Sequence, residues 1–293
     1  MENIKLIGLD TCFIRNIIHN NQLKNGIFAI DELKEIISYK NDLSFRVSET
    51  SLAELIIALS KKEINIEQWK ERINLLDDLI DQAHPILPMG IDLAYEMNIR
   101  KFDSGFKPKS DKYWIACWSF IRNINSINDI NNMIIYEDDD GRNYSIKHDL
   151  SWAEEVMKEE RSNWINKFEE TKIMVEEWNK NSEPKLITED DYNTLQEIYY
   201  KNEGYYYEKI ETMSKTYVYL FYRYINGTYH PESKNNYNDS LDFSLLQILE
   251  YPAILVTNDE NLKKRAQTAC PTQKNILTST ELLKYLKGEL NHG

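Results

Sequence analysis

Asp10, Glu54, Asp242 and Asp259 are the residues whose type and placement could do chemistry in this chain. Asp10 closes the apolar run IKLIGL (4–9). Asp259 follows a second run, AILV (253–256), after Thr257 and Asn258. Glu54 sits in the first turns of the segment SETSLAEL (48–55), and Asp242 opens the segment LDFSLLQIL (241–249). Each has a structural alternative. Asp10 could cap the helix after it, Ser51 and Glu54 have capping-box spacing, Asp239 and Asp242 could be the N-cap and a first-turn acid that favour a helix dipole, and Asp259 could be a turn residue. Taken together they suggest one site. Carboxylates sharing a pocket repel one another and hold protons unless a cation neutralises them. Oxygen donors suit hard cations, so Mg²⁺ or Mn²⁺ is the expected cofactor. One such ion activates a water, and a second steadies the leaving oxygen of an in-line displacement. The chemistry that follows is phosphodiester hydrolysis without a side-chain nucleophile.

The elements that must position these acids alternate between strand and helix. Residues 4–9 and 43–47 read as strands, each followed by apolar residues at helical spacing. Helices are expected over 28–38, 48–59 and 66–81. PILP (85–88) reads as a short proline-bounded edge strand or a loop. A helix at 242–250, a strand at 253–257, and helices at 260–267 and 279–287 repeat the alternation. This is an α/β chain with a parallel sheet flanked by helices, and ligands bind such sheets at the carboxyl ends of the strands.

The middle departs from that pattern. MIIYEDDDGRNYSI (133–146) reads as a hairpin about Asp140-Gly141. Residues 149–180 and 189–226 read as long helices, the second carrying Tyr199, Tyr206, Met213 and Leu220 at seven-residue steps, interleaved with Ile210, Tyr217 and Tyr224. The division is therefore a discontinuous domain, 1–104 with 236–293, and a helical, acidic and Tyr-rich insertion, 105–235. Eleven of the 19 tyrosines fall in 192–229. A stripe at this spacing is expected to pack against another helix, and it also suits base stacking, an inhibitory or partner protein, or a second copy of the chain.

Three stretches, KLIGLDT (5–11), VSETSLAEL (47–55) and NDSLDFSLLQILEYPAILVTNDENLKKRA (238–266), resemble the motifs of the PIN-domain nucleases. The resemblance covers about 100 of the 293 residues and leaves the helical insertion outside it. It implies a PIN-like parallel sheet with a long, mainly α-helical insertion. It also implies one acidic site made of Asp10, Glu54, Asp242 and Asp259, with Thr11, Thr257 and Asn258 as polar neighbours. The implied activity is metal-dependent endoribonuclease cleavage of toxin or defence-effector type, with RNA as the expected partner and DNA the other substrate this chemistry allows. A PIN-like scaffold that binds RNA or protein without cutting is the alternative.

The remaining composition bounds these readings. The chain carries a net charge of −13, with 42% hydrophobic and 28% charged residues. Residues 137–191 hold 17 Asp/Glu against 8 Lys/Arg, so the other residues together carry only −4. Phosphate contacts are expected from Lys263, Lys264 and Arg265 after the Asp259 turn, and from Arg100, Lys101, Lys107, Lys109 and Lys112. Cys12, Cys117 and Cys270 form no CxxC pair, and the five histidines form no zinc-type pair. Cys12 at the second position after Asp10 argues against a haloacid-dehalogenase-type phosphatase, which has a second acid there. No stretch has a membrane span's length of apolar residues and no signal peptide leads the chain, so the expected location is cytoplasmic with no membrane partner.

Overall fold

The computed structural model describes residues 6–19, 32–35, 43–138, 140–147, 149–182, 185–186, 194, 206, 209–236, 238–250 and 253–289. Its centre is a five-stranded, all-parallel sheet in the order β3-β2-β1-β6-β7. The strands are β1 (Leu6–Leu9), β2 (Ser44–Ser48), β3 (Ile86–Leu87), β6 (Ala253–Val256) and β7 (Ile276–Leu277). β1 lies in the middle, with Leu9 level with Val47 on one side and Val256 on the other. The PILP segment is the edge strand β3. The strand β7 is two residues long, too short for a periodicity to be read.

Side chains alternate across a strand, and both faces of this sheet are buried. Ile7, Leu9, Phe45, Val47, Ile254 and Val256 point into one core. Leu6, Leu87, Ala253, Leu255 and Ile276 point into the other. That explains why the strands read as continuous apolar runs. Gly8 allows a close approach on the second face: a Cβ there would lie 2.9 Å from Ile248 Cδ1 and 3.3 Å from Leu87 Cδ2.

The helices of the sheet domain are α1 (Thr11–His19), α2 (Glu49–Ser60), α3 (Ile66–Asp77), α4 (Gly90–Glu96), α8 (Asp239–Leu245, continued as a 3₁₀ turn over Leu246–Glu250), α9 (Glu260–Ala269) and α10 (Ser279–Leu286). Residues 32–35 are also helical. α2 begins earlier than a Ser51–Glu54 capping box requires. Its cap is Ser48, whose Oγ accepts the Ser51 N–H at 3.1 Å. Glu54 is therefore released from capping. Asn65 with Gln68, and Thr278 with Glu281, form capping boxes on α3 and α10.

Between these halves lie α5 (Asp111–Arg122), the antiparallel hairpin β4 (Ile134–Glu137) and β5 (Asn143–Ile146), α6 (Leu150–Asn181) and α7 (Glu211–Ile225). α6 has 32 residues and so spans about 48 Å at 1.5 Å per residue. It packs along α2 and reaches α7 and α8. Its start, Ala153, belongs to the first core, while Trp164, Phe168 and Val175 belong to the second. The helical segment thus contributes to the packing of both faces of the sheet. In the described part of the tyrosine stripe, Ile210, Met213, Tyr217 and Leu220 are buried against α6 and α8. Tyr217 also bonds with the Thr171 hydroxyl at 2.6 Å. Helix-pair packing accounts for the stripe from Ile210 to Leu220; Tyr206 lies outside any helix, so the expected helix over 189–226 is not continuous, and Tyr199 lies outside the described residues.

Candidate carboxylate site

The chain leaves β1 at Asp10, and the fold presses that residue between the exits of β2 and β6. Its backbone N–H bonds to Val256 O at 3.1 Å. The side chain is buried, with Oδ1 accepting the Thr11 N–H at 2.6 Å and Oδ2 accepting the Thr257 hydroxyl at 2.6 Å. Burial nonetheless pushes its carboxyl above the ordinary range, opposed by these hydrogen bonds and reinforced by the charge of Asp259.

Glu54 is half-buried on the second turn of α2. Burial, then the charge of Asp10, pushes it up to about 7; Thr11 and Arg15 partly offset that rise. The Thr11 hydroxyl is itself buried and faces Glu54. Asp242 is half-buried in the first turn of α8. Burial raises it well above the usual carboxylate range, and Asp10, Asp259, Glu54 and Asp239 follow as further causes. Asp259 caps α9, with Oδ1 accepting the Asn261 and Leu262 N–H groups at 2.7 and 2.9 Å. The turn role foreseen for Asp259 is thus real, and one oxygen fills it.

Cys12 reports the convergence of all four. Burial and then the charges of Asp10, Asp259, Asp242 and Glu54 push its thiol up to about 12. The charges of four acids drawn from β1, α2, α8 and the β6 exit therefore all bear on one residue at the carboxyl rim of the sheet. A thiol so disfavoured as thiolate is no nucleophile.

The neighbours sort themselves differently from expectation. Asp239 is not a helix cap. It is the first residue of α8, buried, and its Oδ1 meets Arg265 at 2.6 Å while its Oδ2 accepts the Tyr229 hydroxyl at 3.0 Å. Trp164 of α6 donates to the same Tyr229 oxygen at 3.0 Å. Arg265 is thereby committed to holding α9, α8 and α6 together. Lys263 pairs with Glu281, and Asn258 accepts from the Ser279 N–H at 3.1 Å. Of the expected substrate-contacting residues, Thr11 faces the acids and Lys264 is exposed on α9. In the earlier basic cluster, Lys109 lies between Glu49 and Asp92 at 3.5 and 3.6 Å, and Lys112 donates to Asp138 O at 3.0 Å. The residue that sequence reasoning undervalued is Thr257. It is fully buried, donates to Asp10 and accepts the Asp259 N–H at 3.0 Å. The T-x-D spacing was its visible signal.

The donor set is all oxygen, mutually repulsive and adjoined by the buried Thr11 hydroxyl, which is chemistry that fits a hard cation. Among the described residues no three His, Cys, Asp or Glu side chains are arranged to hold an ion as they stand. The cavity of about 550 Å³ on the same rim is lined by other acids, Glu49, Asp92, Glu155, Glu159 and Glu160, and by none of these four. No family model, curated protein or solved structure matches the chain. No described helix is long and apolar enough to cross a membrane.

Proposed function

We propose that the chain is a PIN-like, divalent-metal-dependent nuclease that hydrolyses phosphodiester bonds, with RNA as its principal substrate and a toxin or defence effector as its type. The observation that carries the reading is that Asp10, Glu54, Asp242 and Asp259 come from strand exits and helix starts of one parallel sheet and that their charges act on Cys12 and on one another. Proteins do not gather acids for stability, because each raised carboxyl marks an electrostatic cost to the folded state. The order of motifs resembling PIN-domain nucleases supports the same conclusion.

In this reading Asp10, Asp242 and Asp259 hold the metal, and Glu54 does so directly or through water. Mg²⁺ or Mn²⁺, when bound, supplies charge neutralisation and activation of water. The residues of the chain do the positioning. Thr257 fixes the Asp10 carboxylate, and its tie to the Asp259 backbone sets where the second strand presents its acid. The N-terminal cap of α9 orients Asp259 through one oxygen.

A second reading, a PIN-like scaffold that binds RNA or a partner protein without cutting, is favoured by one observation: the described acids are not arranged to ligate as they stand. Cleavage of single-stranded RNA and DNA with Mn²⁺ or Mg²⁺, compared with EDTA and with Asp10→Asn, separates the two. Metal-dependent cleavage lost in Asp10→Asn supports the nuclease; binding without cleavage in every metal supports the scaffold.

A further inference from the structure

Helix α3 carries an amphipathic stripe, Trp69, Arg72, Ile73 and Leu76, that is buried against its neighbours. An arginine is out of place there. The side chain usually buries its stem and keeps its charged head in water, yet Arg72 is 1% exposed. Its Nε, Nη1 and Nη2 are all buried and have no hydrogen-bond partner among the described residues. The indole Nε1 of Trp69, one turn earlier on the same face, is buried and unpartnered as well. Four N–H-bearing nitrogens therefore point into the protein without an acceptor among the described residues.

The charges around them deepen the imbalance. Arg15 of α1 lies close enough to repel Arg72, and Glu71 is the opposing acid. Arg15 also acts on Glu54, so its charge is felt by both the orphaned guanidinium and the carboxylate site. α1 and α3 are packed together. An unpaired buried guanidinium costs several kcal/mol and is tolerated where a ligand supplies the counter-charge.

We infer that Trp69, Arg72 and Arg15 form a site for a phosphate-class anion on the α1–α3 flank of the carboxylate cluster. Arg72 offers a planar fork of donors that matches two oxygens of one phosphate, and Trp69 adds a third direction. The anion is either free phosphate or a phosphate of a nucleic-acid strand. The strand assignment rests on the nuclease reading; the anion site does not. A strand phosphate held here would give a chain of net charge −13 a local positive hold on its substrate.

The test is thermal unfolding in EDTA with inorganic phosphate titrated against chloride at equal ionic strength. The wild-type Tm should rise with phosphate, as it does for any ligand of the native state alone. Arg72→Met should be no less stable than wild type without phosphate and should lose that rise. Trp69→Phe, which keeps the ring and removes the N–H, should fold and weaken apparent phosphate affinity about tenfold, as expected for a lost hydrogen bond to a charged group. A wild-type Tm indifferent to phosphate overturns the site, and so does an equal rise in wild type and Arg72→Met. Asp10→Asn should keep the phosphate response, so loss of cleavage alone leaves this inference standing. A short oligonucleotide in EDTA distinguishes the sources: weaker binding by Arg72→Met identifies a strand phosphate, and equal binding with the phosphate response intact identifies the free anion.

Discussion

The Thr257 hydroxyl donates to Asp10 Oδ2 at 2.6 Å and accepts the Asp259 N–H at 3.0 Å, joining two strand ends through one oxygen. Asp10 is thus held by a partner that offers no charge. Thr257→Val keeps the shape and removes the bond. Loss of such an orienting contact typically costs about 10–100-fold in metal affinity or activity. We expect Mn²⁺-dependent cleavage to fall in that range and the metal-free fold to persist by circular dichroism.

Asp259 serves a cap and, in the proposed function, a metal. Asn caps as well as Asp does, so Asp259→Asn should leave the metal-free Tm unchanged or raised by relief of repulsion, and should abolish stabilisation by Mn²⁺. Asp259→Ala should lose the metal response and also about 1 kcal/mol of stability with the cap. Calorimetry of both variants with and without Mn²⁺ checks the pair. A metal response retained by both removes Asp259 from the site.

Asp239 and Asp242 lie one turn apart on α8 and should fail differently. Asp239→Ala strands Arg265 and Tyr229. Breaking a buried pair costs about 3–5 kcal/mol, and the part-exposed Arg265 head brings the expectation down to about 2 kcal/mol. Activity per folded molecule should survive. Asp242→Ala should raise metal-free stability and eliminate cleavage. Urea unfolding alongside an activity assay at matched folded fraction decides it; equal catalytic loss in both variants would mean a five-acid site.

The pH dependence of the metal-free protein follows from the same acids. Glu54 titrates near 4.5 when unfolded and near 7 when folded, so between these values the native state binds more protons. Stability from this group is complete at acid pH and is lost as pH rises through that window. Asp10 and Asp242 are raised as well and act in the same direction. The lowered carboxyls of Asp77, Asp81 and Glu281 act at lower pH, where they lose their contribution on acidification. In EDTA the Tm should fall from pH 5 to pH 8, less steeply in Glu54→Gln. Saturating Mn²⁺ should reverse the slope, because metal binds the deprotonated acids.

What the sequence disclosed depended on how local the signal was. β1 and β6 are legible because a strand buried on both faces is an unbroken apolar run ending in a polar residue. The positions of Asp10 and Asp259 came with them. The start of α2 near Ser48 was legible, while Ser48 and Ser51 are both competent caps and only the end of β2 at Ser48 chooses between them. Arg265 and Asp239 read as a phosphate contact and a helix cap; their ion pair spans 26 residues of chain and is set by how α8 and α9 meet. The orphaned donors of Arg72 and Trp69 were invisible for the same reason, since a buried arginine and a surface one look alike in a helical stripe.

The pairing of β1 with β6 joins residues 247 positions apart. Contacts of that separation form late, because the intervening chain must be ordered before its ends are rewarded for meeting. During synthesis the first half of the carboxylate site leaves the ribosome long before residues 239–259 exist, and the sheet's central strand waits with one edge open. Asp10 and Glu54 alone make no cluster. Any activity that needs all four acids is therefore withheld from the nascent chain until translation has passed Asp259.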